Sequence, residues 1–88
     1  DKIADVYEFH QKLYQEGKLD AAEAEFNRLI KEYPTCEYVD NAHYQLALIC
    51  KKRGDKAGVE NHVNIIMTQY ADTDAALYAQ GLLAGSES

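Results

Sequence analysis

Residues 26–55 read FNRLIKEYPTCEYVDNAHYQLALICKKRGD. One apolar stripe ends at Tyr33-Pro34. A second runs through Val39, Ala42, His43, Leu46, Ala47, Ile49 and Cys50, and Gly54 follows it. Apolar residues at spacings of three and four mark an amphipathic helix. Proline stops a helix and pushes the residue before it toward extended geometry. A glycine just past the last turn supplies a left-handed cap. The stretch therefore reads as helix, proline stop, helix, glycine stop. Sliding the chain along itself by 37 residues superposes Tyr7 on Tyr44, Gly17 on Gly54, Glu23 on Glu60 and Asn27 on Asn64. The same step superposes Tyr33 on Tyr70, Ala42 on Ala79, Leu46 on Leu83 and Ala47 on Ala84. The apolar class is kept between Phe9 and Leu46, Leu13 and Cys50, Phe26 and Val63, Leu29 and Ile66, and Ile30 and Met67. A period of roughly 20–50 residues marks stacked repeats, in which one unit cannot bury its own apolar face.

Working outward, residues 3–16 form an amphipathic helix with Ile3, Val6, Phe9, His10 and Leu13 on one face and Gly17 at its end. Asp20 is expected to cap the second helix, with Glu23 completing a capping box. Its stripe is Ala22, Phe26, Leu29, Ile30 and Tyr33. Thr35 is expected to open the third helix, residues 37–53. The fourth, about 56–70, buries Val59, Val63, Ile66, Met67 and Tyr70. Asp72 or Thr73 caps a last helix, about 74–84, with Ala76, Ala79, Leu82 and Leu83 inward, and residues 85–88 are a polar, flexible tail. Short connections force successive helices antiparallel. The expectation is one all-α domain over residues 3–84, with repeat 1 at about 3–36, repeat 2 at about 37–72 and a closing helix.

A chain of 88 residues has only a modest core. Its 15 acidic residues against 9 basic ones, dispersed along the chain, argue against a nucleic-acid surface, which needs a basic stripe. The one basic cluster, Lys51-Lys52-Arg53, falls at a helix C-terminus, where the dipole favours cations. No apolar run reaches the roughly 20 residues a membrane helix needs, so no direct membrane insertion is expected. No secretory leader is visible, and a chain starting at Asp1 rather than Met is expected of a processed product or excised fragment. Cys36 and Cys50 would lie about 20 Å apart if one helix separates them, too far for a disulfide. Cys50 sits on the apolar stripe, and Cys36 in a loop is the accessible thiol.

The two repeats together resemble the tetratricopeptide-repeat family. Repeat 1 supplies Val6, Phe9, His10, Leu13, Gly17, Ala22, Phe26 and Pro34 at the motif positions. Repeat 2 supplies His43, Leu46, Ala47, Cys50, Gly54, Val59 and Val63, with Ala71 in place of the proline. His10 replaces a small residue, no Trp is present, and the period exceeds the family's usual length of about 34 residues. The longer spacing is similar to that of a bacterial subgroup, that of the Tol–Pal-associated periplasmic coordinator and the outer-membrane assembly lipoproteins. The resemblance implies a right-handed superhelical stack, two repeats plus a closing helix, acting as a scaffold or adaptor in a cell-envelope assembly. It favours the periplasm or envelope, with the cytoplasm left open. The alternative is an accessory subunit that stabilises a larger enzyme or cofactor-bearing complex.

In that family the first helix of each repeat lines the concave face. The resemblance thus places Tyr7, Gln11, Tyr14, Asn41, Tyr44, Leu48 and Lys51 in a groove that takes a protein partner, with the exposed end helices as a second route. Tyrosine suits such a surface because it offers large amphipathic contact with few rotors to freeze. The family's carboxylate clamp is missing, because its groove positions carry Tyr7, Gln11, Gln45, Tyr78 and Leu82. His10, His43 and His62, with Asp40 and Glu60, lack the spacings of a metal motif, so no metal is expected. His10 and His43 fall at interior positions, where a hydrogen-bonded packing histidine is expected. No nucleophile elbow, phosphate loop or other catalytic motif occurs, so neither enzyme activity nor a cofactor is expected.

Overall fold

The computed structural model describes the backbone of residues 2–85 and the side chains of residues 8, 9 and 11–82. Five helices follow one another: α1 (Lys2–Gln15), α2 (Leu19–Glu32), α3 (Val39–Arg53), α4 (Lys56–Gln69) and α5 (Asp74–Gly85). The described residues contain no strand. The protein is all-α.

The period read from the sequence reappears in the backbone hydrogen bonds that close the helices. Gly17 N–H donates to the Tyr14 carbonyl and Lys18 N–H to that of Leu13; 37 residues on, Gly54 donates to Lys51 and Asp55 to Cys50. At the second helices Tyr33 donates to Leu29 and Cys36 to Tyr33, matched by Tyr70 to Ile66 and Thr73 to Tyr70. The first pair of turns needs positive φ, and both are glycine, at +81° for Gly17 and +76° for Gly54. A residue without Cβ enters that region without steric strain.

Two buried clusters share α3. Ala42, Leu46 and Ile49 pack with Ala22, Phe26 and Leu29 of α2. Ala47 and Cys50 pack with Val59, Val63 and Ile66 of α4 and with Ala75, Ala76, Ala79 and Leu82 of α5. The expected stripes of α2, α3 and α4 are thus the core, with His43, Ile30, Tyr33, Met67 and Tyr70 half-buried at its edges. Truncating a side chain such as Phe26, which is fully buried, costs about 3–5 kcal/mol in cores of this kind.

Four local expectations are corrected. Asp20 does not cap α2: the helix starts at Leu19, Lys18 is the residue at its cap, and no side chain accepts there. Asp20 instead joins Arg53 at the end of α3, and Glu23 accepts from the same guanidinium at 2.9 Å. The acidic start of α2 and the basic end of α3 lie side by side, as their dipoles favour. Thr35 does not open α3, which begins later at Val39 because residues 34–38 are occupied by a turn in which Cys36 N–H holds the Tyr33 carbonyl.

Phe9, expected on the buried stripe, is 57 % exposed, whereas its counterpart Leu46 is 1 % exposed against α2. Gly85, expected in the tail, closes α5, and residues 86–88 lie outside the described residues.

Candidate functional site

Helix α3 packs against both α1 and α5, while among the described residues no Cα of α2 comes within 8 Å of one in α4. The odd-numbered helices therefore form one continuous row. Each contributes a tyrosine: Tyr14, Tyr44 and Tyr78. The rings of Tyr44 and Tyr78 lie 5.9 Å apart, tilted by 45°. That separation is within the favourable range for aromatic pairs. The Lys52 ammonium sits 4.9 Å above the ring of Tyr14, a cation–π contact that bridges α3 to α1. Partial burial raises the Tyr14 hydroxyl's pKa, so the group stays a neutral donor near neutral pH.

Of the seven residues expected in a groove, Gln11, Tyr14, Asn41, Tyr44 and Leu48 are half-buried and Lys51 is exposed. Tyr44 and Leu48 rest on the cluster shared by α3, α4 and α5, and Tyr14 on the cluster shared by α2 and α3. The side chain of Tyr7 and that of His10 lie outside the described residues. The sequence reading missed Tyr78 as the partner of Tyr44, and Lys52 as the partner of Tyr14. Tyr78 stands 37 residues after Asn41, so the repeat register carried that signal.

Gln45 and Leu82 do not lie in a groove. Both are 7 % exposed, and they are equivalent under the 37-residue step. On α3, Gln45 lies one turn before Ile49 and two before Lys52, on the edge that turns toward α1. Among the described residues its Oε1 is buried without a hydrogen-bond partner. The equivalent position on α5 is taken by Leu82, an apolar side chain that suits burial better than Gln45.

On the other side of α3, His43 meets His62 of α4, with the two Nδ1 atoms 3.1 Å apart and the rings 5.4 Å apart. The ring of Tyr70 lies 6.4 Å from that of His43. One imidazole donates and the other accepts, so the pair needs at least one unprotonated Nδ1. Burial, helped by the charge of His62 and opposed by Asp40, lowers the pKa of His43 to about 4. Burial lowers His62 too, against the pull of Glu23 and Asp55. Among the described residues no group of three or more His, Cys, Asp or Glu is placed to hold a metal ion. Nor is any described helix long and apolar enough to cross a membrane. No protein-family model and no curated protein matches the chain.

Proposed function

We propose that the chain is a tetratricopeptide-like interaction module, a scaffold or adaptor subunit of a bacterial cell-envelope assembly. Its partner is a protein segment held along the row of α1, α3 and α5. The observation that carries this reading is the row itself, with Tyr14, Tyr44 and Tyr78 contributed one per helix and two of them paired at 5.9 Å. A layer whose helix backbones approach closely, backed by helices whose backbones stay further apart, curves toward the closer side. That curvature supports a concave α1–α3–α5 face, and the recurrence of turn hydrogen bonds at 37 residues supports a stack of like units.

Half-buried tyrosines with accessible edges are the side chains that anchor protein interfaces. Gln11, Asn41 and Lys51 add donors and acceptors around them, and Lys52 adds a cation already positioned over an aromatic ring. The envelope assignment rests on the resemblance of the elongated repeat alone. The test is purification of the tagged chain at native levels, beside Tyr44→Ala. A stoichiometric envelope protein that is lost with Tyr44→Ala is the expected result. Retention of the same partner by Tyr44→Ala, or a partner set without envelope proteins, contradicts the corresponding half of the proposal.

A further inference from the structure

A metal motif is a local spacing, and the two imidazoles that meet in this fold come from different helices. His43 is on α3, and His62 is 19 residues later on α4. The packing of the two helices brings their Nδ1 atoms to 3.1 Å.

That separation suits a metal ion as well as a shared proton. Tetrahedral zinc takes imidazole nitrogens at about 2.0–2.1 Å, which sets two of them about 3.3 Å apart along one edge of the tetrahedron. The pair already lies close to that edge, so chelation asks the two rings to turn and leaves the helices where they are. Both rings are half-buried, which gives an ion access from the open side and leaves room for water ligands.

The surroundings favour a cation. The charge of Asp40 on α3 acts on His43, and those of Glu23 on α2 and Asp55 at the cap of α4 act on His62. The guanidinium of Arg53, which Glu23 binds, is also held by Asp20. Burial keeps both imidazoles neutral near neutral pH, the form that ligates. We propose that His43 and His62 form a two-histidine chelate for a late first-row divalent cation, with zinc the best fit and water completing the tetrahedron. The bound ion pins α3 to α4. This site is separate from the tyrosine row and independent of the partner proposed above.

Calorimetric titration of zinc chloride into the EDTA-stripped 88-residue chain at neutral pH tests it, with thermal melts in zinc and in magnesium. His43→Gln, His62→Gln and Cys36→Ser run alongside, the last because a half-buried thiol is another zinc ligand. Glutamine keeps a hydrogen-bonding amide in each half-buried place, and far-UV circular dichroism verifies the fold. The wild type and Cys36→Ser are expected to take up one zinc ion per chain and to melt higher in zinc but not in magnesium, which prefers oxygen ligands. Both histidine variants are expected to lose the uptake and the rise. In the wild type, zinc should shift the ring resonances of His43 and His62 together, a reading that needs no variant. No uptake at millimolar zinc overturns the proposal. So does uptake unchanged in either histidine variant, or a shift of only one of the two rings.

Discussion

His43 on α3 and His62 on α4 face each other with their Nδ1 atoms 3.1 Å apart, in the seam that joins the two helices. The folded state lowers the pKa of His43 from 6.5 to about 4, because a charged imidazole loses hydration there and meets His62. The unfolded chain therefore binds this proton first. Stability is complete above pH 6.5 and is lost as pH falls from 6.5 toward 4. Urea midpoints at pH 7 and pH 5, above most carboxylate titration, measure the effect. The midpoint is expected to fall for the wild type and to fall less for His43→Gln. Equal falls would show that the pair contributes nothing to the pH dependence.

Gly17 and Gly54 share one backbone geometry, at φ of +81° and +76°, and an added Cβ at either meets nothing within 4 Å. The cost of a side chain there is conformational, about 1–2 kcal/mol, with β-branching adding to it. Gly17→Val and Gly54→Val should lower stability by similar amounts in thermal or urea melts. A tolerated Gly54→Val beside a damaging Gly17→Val would break the equivalence of the two turns.

Two helical glycines should answer alanine with opposite signs. At Gly81 the site is open, and alanine should stabilise by about 0.5–1 kcal/mol through helix propensity. At Gly58 an added Cβ comes within 2.5 Å of Asp55 Oδ2 and 2.6 Å of Cys50 Sγ. Asp55 caps α4 by accepting the Gly58 N–H at 3.0 Å, so the clash displaces the cap as well as the thiol. Loss of a cap costs about 0.5–2 kcal/mol. Gly58→Ala should be the less stable protein; a gain like that of Gly81→Ala would refute the close packing of α4 on α3.

The same contact bears on the thiols. Cys50 is 7 % exposed and its pKa is raised by burial and by the neighbouring Asp55, while Cys36 is half-buried in the turn before α3. Reaction needs an accessible thiolate. Native protein treated with a mild thiol reagent should be modified at Cys36 and protected at Cys50 until it unfolds. Equal modification rates, read by peptide mass mapping, would contradict this arrangement.

Backbone chemistry was the legible part of the chain. Gly17, Gly54 and Pro34 act locally, so their consequences could be read without knowing what they touch. The stripes of α2, α3 and α4 were legible for the same reason, because one face of each is apolar whatever covers it. Phe9 was not: it matches Leu46 in sequence, yet Leu46 is buried with residues of α2 and Phe9 is exposed. Asp20 was misread although the register held the answer, because the 37-residue step aligns Asp55 with Lys18, which puts Asp20 inside its helix. The contacts of His43 with His62 and of Tyr44 with Tyr78 join different helices. They depend on how those helices cross, which no local pattern encodes.

The central claim is that the α1–α3–α5 row holds a protein partner, and calorimetric titration of the purified partner against three forms of the chain tests it most directly. The forms are the wild type, Tyr44→Ala in the row, and Glu60→Ala on the exposed side of α4. An anchoring aromatic contributes about 1–3 kcal/mol on truncation. The account predicts that Tyr44→Ala weakens binding by that amount and that Glu60→Ala binds as the wild type does. Binding that is unaffected by Tyr44→Ala but weakened by Glu60→Ala would move the site to the opposite layer and contradict the account.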